Sequence, residues 1–352
     1  MAELSIERIT IPAHIDDPGA GDFIEMIELG NAIEADALGT DQDSFNPREQ
    51  LPWWQSPQRP KHAVVARLDG RIVGRGLAEL TDDPDSTAVT ITVEVASENR
   101  RRGIGDALLE AAVTLVPDAT THQIWVTYGG PAVGDRLPAP TGFGSVPLDD
   151  PGTRFLLRHG FALEQVERIS RLPLPVEVGA ALAEASAAAG SDYLVHHWSG
   201  ATPERWLEGL AAARSRMATD APWAGLEPDS GHWDAERVRE SEAREAGDGL
   251  TRLTVAVEHV PSGELVAYNE LAVPPETRRS VQQADTLVLA DHRGHRLGML
   301  VKTANLERLQ REHLGYTSVM TYNAEENRHM LSVNEALGFV AIGYEGAWRR
   351  DL

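Results

Sequence analysis

The chain has 352 residues, a length that favours two domains, and its 42% apolar and 24% charged content is that of an ordinary globular protein. Disordered and collagen-like chains are thereby excluded. Its 32 basic and 54 acidic residues give a formal net charge of −22, which would repel a phosphate backbone, so we expect no nucleic-acid partner. The acidic field instead favours cationic small molecules near an acidic cleft.

Cysteine is absent, which excludes disulfides, thiolate metal ligands and a cysteine nucleophile. The stretch 1–8 contains acidic residues and no apolar core, so it differs from a secretory signal. Nowhere do about 18 apolar residues follow one another, the length needed to cross a bilayer. We therefore expect a soluble, cytoplasmic protein without a membrane partner.

Hydrophobic periodicity in the first half predicts a mixture of strands and helices. The clearest element is a hairpin, because Asp69-Gly70 suits the positive φ angles of a two-residue turn between the apolar stretches 62–68 and 71–80. The other predicted strands are 4–11, 88–95, 123–127 and 163–172, and the predicted helices are 22–37, 104–115 and 153–159. Residues 129–148 are rich in Gly and Pro and predict a long loop.

The second half repeats this order after an Ala-rich stretch, 176–189, that predicts a linking helix. The predicted strands are 193–198, 250–260, 265–273, 284–290, 318–322 and 340–347, and the predicted helices are 204–217, 297–314 and 326–337. The sequence thus predicts a mixed α/β fold of two consecutive domains, 1–173 and 192–352, joined by the linker 174–191.

Two basic, glycine-containing turns occupy equivalent places in the two halves. The first is Arg100-Arg101-Arg102-Gly103-Ile104-Gly105, after a strand that contains Val93 and Val95. The second is Arg293-Gly294-His295-Arg296-Leu297-Gly298, after Val288-Leu289-Ala290. Each turn opens a helix, whose first N–H groups and positive dipole end attract anions. We predict that both bind a diphosphate; the alternative is a plain strand-to-helix connection with exposed arginines.

The first turn resembles the signature of the GCN5-related N-acetyltransferase (GNAT) superfamily: Arg or Gln, two residues, Gly, one residue, then Gly or Ala. The second turn departs from it at Arg296. The run 323–339, which ends in Leu-Gly-Phe, resembles a second family element, and 155–161 is a thinner version. The resemblance implies two mixed, mostly antiparallel twisted sheets flanked by helices, in which the fourth and fifth strands splay apart to admit acetyl-CoA.

By this resemblance, the backbone of 288–290, with Val93 and Val95 in the first copy, pairs with the pantetheine arm of acetyl-CoA. Asn323 and Asn327 hold that arm or order the turn; alternatively, Asn323 caps the helix and Asn327 lies on its solvated face. The implied reaction is direct attack of an amine on the thioester, which needs a base and a proton donor to the leaving thiolate.

Glu270 is the first candidate for the base, with a solvent-facing strand carboxylate as the alternative, and Asp285 is the second candidate. The position at which many family members carry a tyrosine acid is Asn334 here, and Leu156 in the first half. Tyr322 is therefore the candidate proton donor, although a tyrosine at a strand end is more often simply packed.

The expected function is acetyl-CoA-dependent N-acetyl transfer to the amine of a small, cationic molecule, with the second half as the catalytic one. The alternative is a non-catalytic tandem protein that binds CoA or a partner. His292 and His295 lack a third ligand, so we expect no metal. The chain is expected to be a monomer or a homodimer. Trp53-Trp54 and Trp223 with Trp233 are interpreted as lids over a substrate or as surface anchors.

Overall fold

The structure, a computed structural model, describes residues 4–57, 59–81, 86–130, 134–220, 222–227 and 232–352. The strands of the first half are β1 (Leu4–Arg8), β2 (Lys61–Leu68), β3 (Arg71–Leu80), β4 (Ala88–Val95), β5 (Thr121–Gly129), β6 (Arg136–Pro138), β7 (Ser145–Pro147) and β8 (Ala162–Pro173). Its helices are α1 (Gly21–Leu38), α2 (Pro47–Trp54), α3 (Ile104–Thr114) and α4 (Pro151–Arg158).

The linker and second half contain the helices α5 (Gly179–Ala189), α6 (Glu204–Asp220), α7 (Ala235–Gly247), α8 (Leu297–Glu312) and α9 (Arg328–Leu337). Their strands are β9 (Tyr193–Ser199), β10 (Thr251–His259), β11 (Glu264–Val273), β12 (Val281–Val288), β13 (Ser318–Ala324) and β14 (Val340–Asp351). The sequence did not predict α2, α7 or the short hairpin of β6 and β7, which lies in the predicted loop.

Local signals set several element ends. Asp69 and Gly70 have φ angles of 49° and 84°, which confirms the two-residue hairpin turn between β2 and β3. Asp150 accepts hydrogen bonds from the N–H groups of Gly152 and Thr153, so it caps α4 directly before Pro151 at the first helical position.

Twelve strands form one continuous sheet in the order β1-β2-β3-β4-β5-β14-β8-β13-β12-β11-β10-β9. All neighbours are antiparallel except β4 with β5 and β12 with β13. The predicted fold class, a mixed and mostly antiparallel sheet flanked by helices, is confirmed.

The two halves exchange their last strands. The strand β8 follows α4 of the first half but pairs with β13 of the second, while β14, the last strand of the second half, lies between β5 and β8. Trp348 on β14 is fully buried in the core of the first half. Because the sheet runs through without a break, the domain boundaries 173 and 192 stay a prediction.

Alternate residues of each strand pack against helices on opposite faces of the sheet. In β2, Val64 and Ala66 belong to the core around α3, whereas Ala63 and Val65 belong to the core around α1. The corresponding second-half cores lie around α8 on one face and around α6 and α7 on the other. Within the described residues, no helix is long and apolar enough to cross a membrane.

Candidate active site

The two glycine-containing turns have the same backbone conformation. Arg101 and Gly294 are left-handed, with φ angles of 67° and 90°, and so are Gly103 and Arg296, with 79° and 57°. In each half a short 3-10 turn precedes them, and the long helix begins at the next residue, Ile104 in α3 or Leu297 in α8. The departure from the family signature at Arg296 therefore leaves the shape of the second turn unchanged.

This shape suits a diphosphate, because the first N–H groups of α8 have no acceptor within the helix and lie at its positive end. The side chain of Arg296 forms an ion pair with Glu184 on α5, which partly neutralises its charge. The ring of His295 contacts that of Tyr193 at a tilt of 43°, with ring centroids 5.1 Å apart, and the Tyr193 hydroxyl lies 3.1 Å from His292 Nδ1. The predicted diphosphate binding is not tested by these contacts.

Beyond this turn, β12 and β13 enclose a cleft. The two strands pair only at Val281–Gln282 with Val319–Met320 and then diverge, as the resemblance implied. The resulting cleft has a volume of about 230 Å³. Its lining residues come from six elements and two connecting segments: Glu167, Met217, Pro222, Trp223, Gln283, Ala284, Asp285, Thr286, Lys302, Thr321, Tyr322, Asn323, Ala324, Asn327 and Met330.

The backbone of β12 presents a free edge to this cleft. One edge of the strand is hydrogen-bonded to β11 as far as Val288. After Gln282 the other edge has no ladder partner in β13, so its N–H and C=O groups are available to an extended ligand. An extended amide chain such as pantetheine fits this edge.

Asp285 lines the cleft from β12 and accepts a hydrogen bond of 3.2 Å from the Tyr268 hydroxyl. Burial, and secondly the charge of Glu270, raise the pKa of Asp285 above its ordinary value. A carboxylate with a raised pKa at the wall of a cleft is suited to accept a proton near neutral pH.

Glu270 does not line the cleft. It is 1% exposed and accepts hydrogen bonds from Arg214 at 2.8 Å and from Thr254 at 3.2 Å, while Arg252 lies 3.7 Å away. Burial alone would raise the pKa of Glu270, but the two guanidinium groups lower it below its ordinary value. The structure therefore places this predicted base in a buried ion-pair network rather than in the cleft.

Tyr322 lines the cleft with its ring, while its hydroxyl donates to Asp43 from the segment between α1 and α2. Burial, and then the charge of Asp43, raise the pKa of Tyr322 above its ordinary value. Its proton is thus directed at a first-half carboxylate.

Three polar side chains form a hydrogen-bonded chain whose two ends, Lys302 and Asn323, line the cleft. Lys302 on α8 donates a 2.7 Å hydrogen bond to Asn334 Oδ1, and Asn334 Nδ2 donates a 2.6 Å bond to Asn323 Oδ1. Burial lowers the pKa of Lys302 to about 7. Sequence reasoning missed Lys302, although a lone lysine inside the apolar start of a helix is a visible signal.

Of the remaining predicted residues, Asn327 and Trp223 line the cleft. Asn327, rather than Asn323, caps α9 through its side chain, which accepts from the N–H of Met330, and it also lines the cleft. Among the tryptophans, Trp223 lines the cleft, whereas Trp54 is buried against Phe23 and Trp233 lies over Arg214.

Carboxylates with raised pKa values extend from the cleft towards the first half. Burial, and secondly the nearby Glu326, raise the pKa of Glu167 to about 7. Burial, and secondly Asp43, raise that of Glu34 to about 8. Burial, then Glu167, raise that of Glu345 well above its ordinary value. This face of the sheet therefore carries a cluster of carboxyl groups that hold their protons more tightly than exposed ones do.

The equivalent cleft positions in the first half are apolar or neutral. Counting from the aligned turns, Thr92 corresponds to Asp285 and Leu109 to Lys302. Alignment of the two Gly-Phe elements matches Leu156 with Asn334. Alignment of β5 with β13, from the residues at which each begins its parallel pairing, matches Trp125 with Asn323. Leu109 and Leu156 are buried in the first-half core.

Comparisons with known proteins agree with this architecture. Residues 28–130 match the family model described as acetyltransferase (GNAT) family. A tandem GNAT protein from the clavulanic acid biosynthesis pathway, solved without AcCoA, superposes with a TM-score of 0.72 at 23% identity, over 99% of this chain and 98% of that one. The chain has a tandem GNAT fold.

Two further structures have this fold. A GCN5-related N-acetyltransferase from Sphaerobacter thermophilus superposes with a TM-score of 0.63 at 14% identity, over 99% of this chain and 95% of that one. The glucosamine N-acetyltransferase region of a fungal multi-domain β-N-acetylglucosaminidase has the same TM-score at 15% identity, over 99% of this chain and 38% of that one. No curated protein sequence matches the chain.

The GNAT resemblance stated from the sequence is thereby confirmed, and the fold supports acyl transfer in general. Across the described residues, no group of three or more His, Asp or Glu side chains is arranged to hold a metal ion. His292 and His295 instead both contact Tyr193.

Proposed function

We propose that this tandem GNAT protein is an acetyl-CoA-dependent N-acetyltransferase that works in the cleft between β12 and β13, and that its acceptor is a small, cationic amine. One observation carries the proposal: the second-half cleft combines a turn suited to a diphosphate and a free strand edge with Asp285 and with the hydrogen-bonded chain Lys302–Asn334–Asn323.

The residues present fit an acyl-CoA. The turn 293–298 offers helix N–H groups to the diphosphate, and the unpaired edge of β12 from Gln283 to Val288 offers amide partners to the pantetheine arm. When bound, acetyl-CoA supplies the activated acyl group. The chain then positions the two reactants and moves protons.

An amine that carries positive charge suits the polar groups of the cleft. Asp285 and Glu167 line it, and the buried Gln283 Oε1, which also belongs to a lining residue, accepts no hydrogen bond within the described part of the chain. An ammonium group would give this acceptor a donor, and an unpaired buried acceptor otherwise costs about 1–3 kcal/mol.

Asp285 rather than Glu270 serves as the base in this proposal. Only a neutral amine can attack the thioester, so a proton must leave the acceptor nitrogen, and Asp285 is the titratable β12 side chain at the cleft. Glu270 keeps Arg214 and Arg252 paired and, through its charge, helps to raise the pKa of Asp285.

The test is an amine panel assayed for release of the free CoA thiol. We expect turnover of acetyl-CoA with amines that carry a second cationic group, and at least about tenfold lower kcat/KM for amines of the same length with a neutral or carboxylate end, which corresponds to about 1.4 kcal/mol. An equal rate for all three classes would contradict the cationic acceptor.

The second candidate is a protein that binds CoA without turnover. Support for this candidate comes from the first half only, where apolar side chains occupy the positions of the polar chain of the second cleft. Tight CoA binding by the whole chain with no thiol release from any amine would favour this candidate over the enzyme.

A further inference from the structure

One titratable group that lines the cleft, Lys302, has been given no chemical role in the reaction so far. Lys302 is 1% exposed, and its Nζ donates one hydrogen bond, to Asn334 Oδ1. Among the residues that the structure describes, no carboxylate pairs with it. The other titratable groups that line the cleft are Asp285 on β12, Tyr322 on β13 and Glu167 on β8.

The fold does not require a lysine at this place. The equivalent residue of the first half is Leu109, which is 3% exposed and packs in the core around α3. Asn334 and Asn323 similarly replace Leu156 and Trp125. A buried ammonium that lacks a counter-charge is costly, so a group of this kind at a cleft wall is a candidate for a functional role.

We propose that Lys302, held in place by Asn334 and Asn323, donates a proton to the sulfur that leaves during acetyl transfer. This inference rests on the proposed function. Lys302 would be a catalytic residue, and the two asparagines would be positioning residues that orient its ammonium.

The step balances without any further reactant. A C–N bond forms between the amine nitrogen and the acetyl carbon while the C–S bond breaks, and its electron pair goes to sulfur. The Lys302 ammonium gives its proton to that sulfur, and the Asp285 carboxylate takes the proton of the amine. Solvent then returns a proton to Lys302 and removes one from Asp285.

Tyr322 is another acid on the cleft wall, but its hydroxyl donates to Asp43, on the side of the first half. A tyrosine proton held in this way, by a carboxylate that is itself buried, is retained rather than released. Burial brings the pKa of Lys302 to about 7, which is close to the optimum for an acid that works at neutral pH.

The experiment compares the wild type with Lys302→Met, an uncharged chain of similar length, and with Leu109→Met at the equivalent first-half position as the matched control. The first readout is the ultraviolet absorbance of the thiolate of bound CoA against pH. We expect the wild type and Leu109→Met to lower the thiol pKa of bound CoA by about one unit or more, and Lys302→Met to abolish that shift.

The second readout is the pH dependence of kcat at saturating substrates. Because the acid must be protonated, kcat of the wild type should fall as the pH rises above about 7, and Lys302→Met should lose this limb together with about 10²-fold in kcat. Asn334→Leu should keep the limb and move it to another pH, since it removes only the positioning hydrogen bond.

The outcomes separate the two proposals. Turnover by Lys302→Met with an unchanged pH profile and an unchanged thiol pKa overturns the role of Lys302 and leaves the N-acetyltransferase intact. A wild type that binds CoA without turnover overturns the proposed function, and the thiolate titration then still decides whether Lys302 faces the sulfur. A wild type that binds no CoA overturns both.

Discussion

The two clefts of this molecule share a backbone and differ in chemistry. Both have the same pair of left-handed residues before the helix and the same short pairing of parallel strands. At four equivalent positions the first half carries Thr92, Leu109, Leu156 and Trp125, where the second carries Asp285, Lys302, Asn334 and Asn323. The half with the stricter diphosphate signature thus lacks the groups to which we assign proton transfer.

This difference separates two requirements that a signature motif does not distinguish, namely the shape of the turn and the chemistry of the cleft. A turn can keep its shape with Arg in place of Gly, because a single non-glycine residue in the left-handed region costs only about 1–2 kcal/mol. A cleft wall that has leucine in the position of lysine has lost the group that can donate a proton. The lining positions are therefore more informative about catalysis than the glycines are.

The halves are nonetheless not independent. The strands β8 and β14 are exchanged between them, and Asp43 of the first half accepts a hydrogen bond from the hydroxyl of Tyr322 in the second. In return, Glu227 of the second half is hydrogen-bonded to Gln123 on β5. We infer that the first half is a scaffold that completes the wall of the second-half cleft.

The largest expected effect comes from Asp285→Asn. Loss of the base should lower kcat by about 10³-fold with little change in the affinity for CoA, as removal of a general base typically costs 10²–10⁴-fold. The matched change Thr92→Ala in the first half should leave kcat within about twofold. Steady-state kinetics with a CoA binding titration measure both, and similar losses for the two variants would contradict the assignment of the second cleft.

Glu270→Gln should act on stability. It leaves Arg214 and Arg252 buried with less counter-charge, so the free energy of unfolding should fall by about 3 kcal/mol, measured by urea denaturation. The kcat of the folded variant should fall far less than that of Asp285→Asn. A hundredfold loss of kcat without loss of stability would return the role of base to Glu270.

Lys302→Met should make the protein more stable. In the folded state the pKa of Lys302 is about 7, while the unfolded chain still binds the proton up to about pH 10. The contribution of this site to the free energy of unfolding therefore rises with pH between these two values. Below both values the charged lysine destabilises the folded protein. Replacement should add about 2 kcal/mol to the free energy of unfolding at pH 7, and Leu109→Met should add none.

The smallest expected effect comes from adding a single methyl group to each turn by changing a glycine to alanine. A Cβ at Gly298 would meet only Val288, at 3.7 Å, so Gly298→Ala should fold normally and any loss of CoA affinity would report the ligand. We expect the Kd for CoA to rise about tenfold, or 1.4 kcal/mol. Gly105→Ala in the first turn, beside Phe155 at 3.2 Å, should leave the Kd unchanged if the first half holds no CoA.

The sequence predicted what depends on neighbours along the chain. The hairpin at Asp69-Gly70 and the two turns before α3 and α8 follow from local φ preferences and periodicity. The helix α7, which is only weakly apolar, and the exchange of β8 with β14 depend on contacts between distant segments, which periodicity cannot reveal.

The candidate site divides in the same way. Glu270 and Asp285 both lie on strands whose alternation is visible in the sequence, but Arg214 on α6, which takes Glu270 out of the cleft, is 56 residues away. Likewise, Tyr322 was identified without its partner Asp43, which lies 279 residues away. Lys302 was overlooked because helix periodicity alone assigns its position to the core.

The most direct test of the account is a structure of the protein with a stable acetyl-CoA analogue that cannot transfer its acyl group. We predict that its diphosphate lies at the turn 293–298, that its pantetheine arm follows β12 from Val288 towards Gln283, and that its sulfur lies within hydrogen-bond reach of Lys302 Nζ. An analogue bound only at the turn 100–105, with the cleft between β12 and β13 empty, would contradict the claim that the second half carries the chemistry.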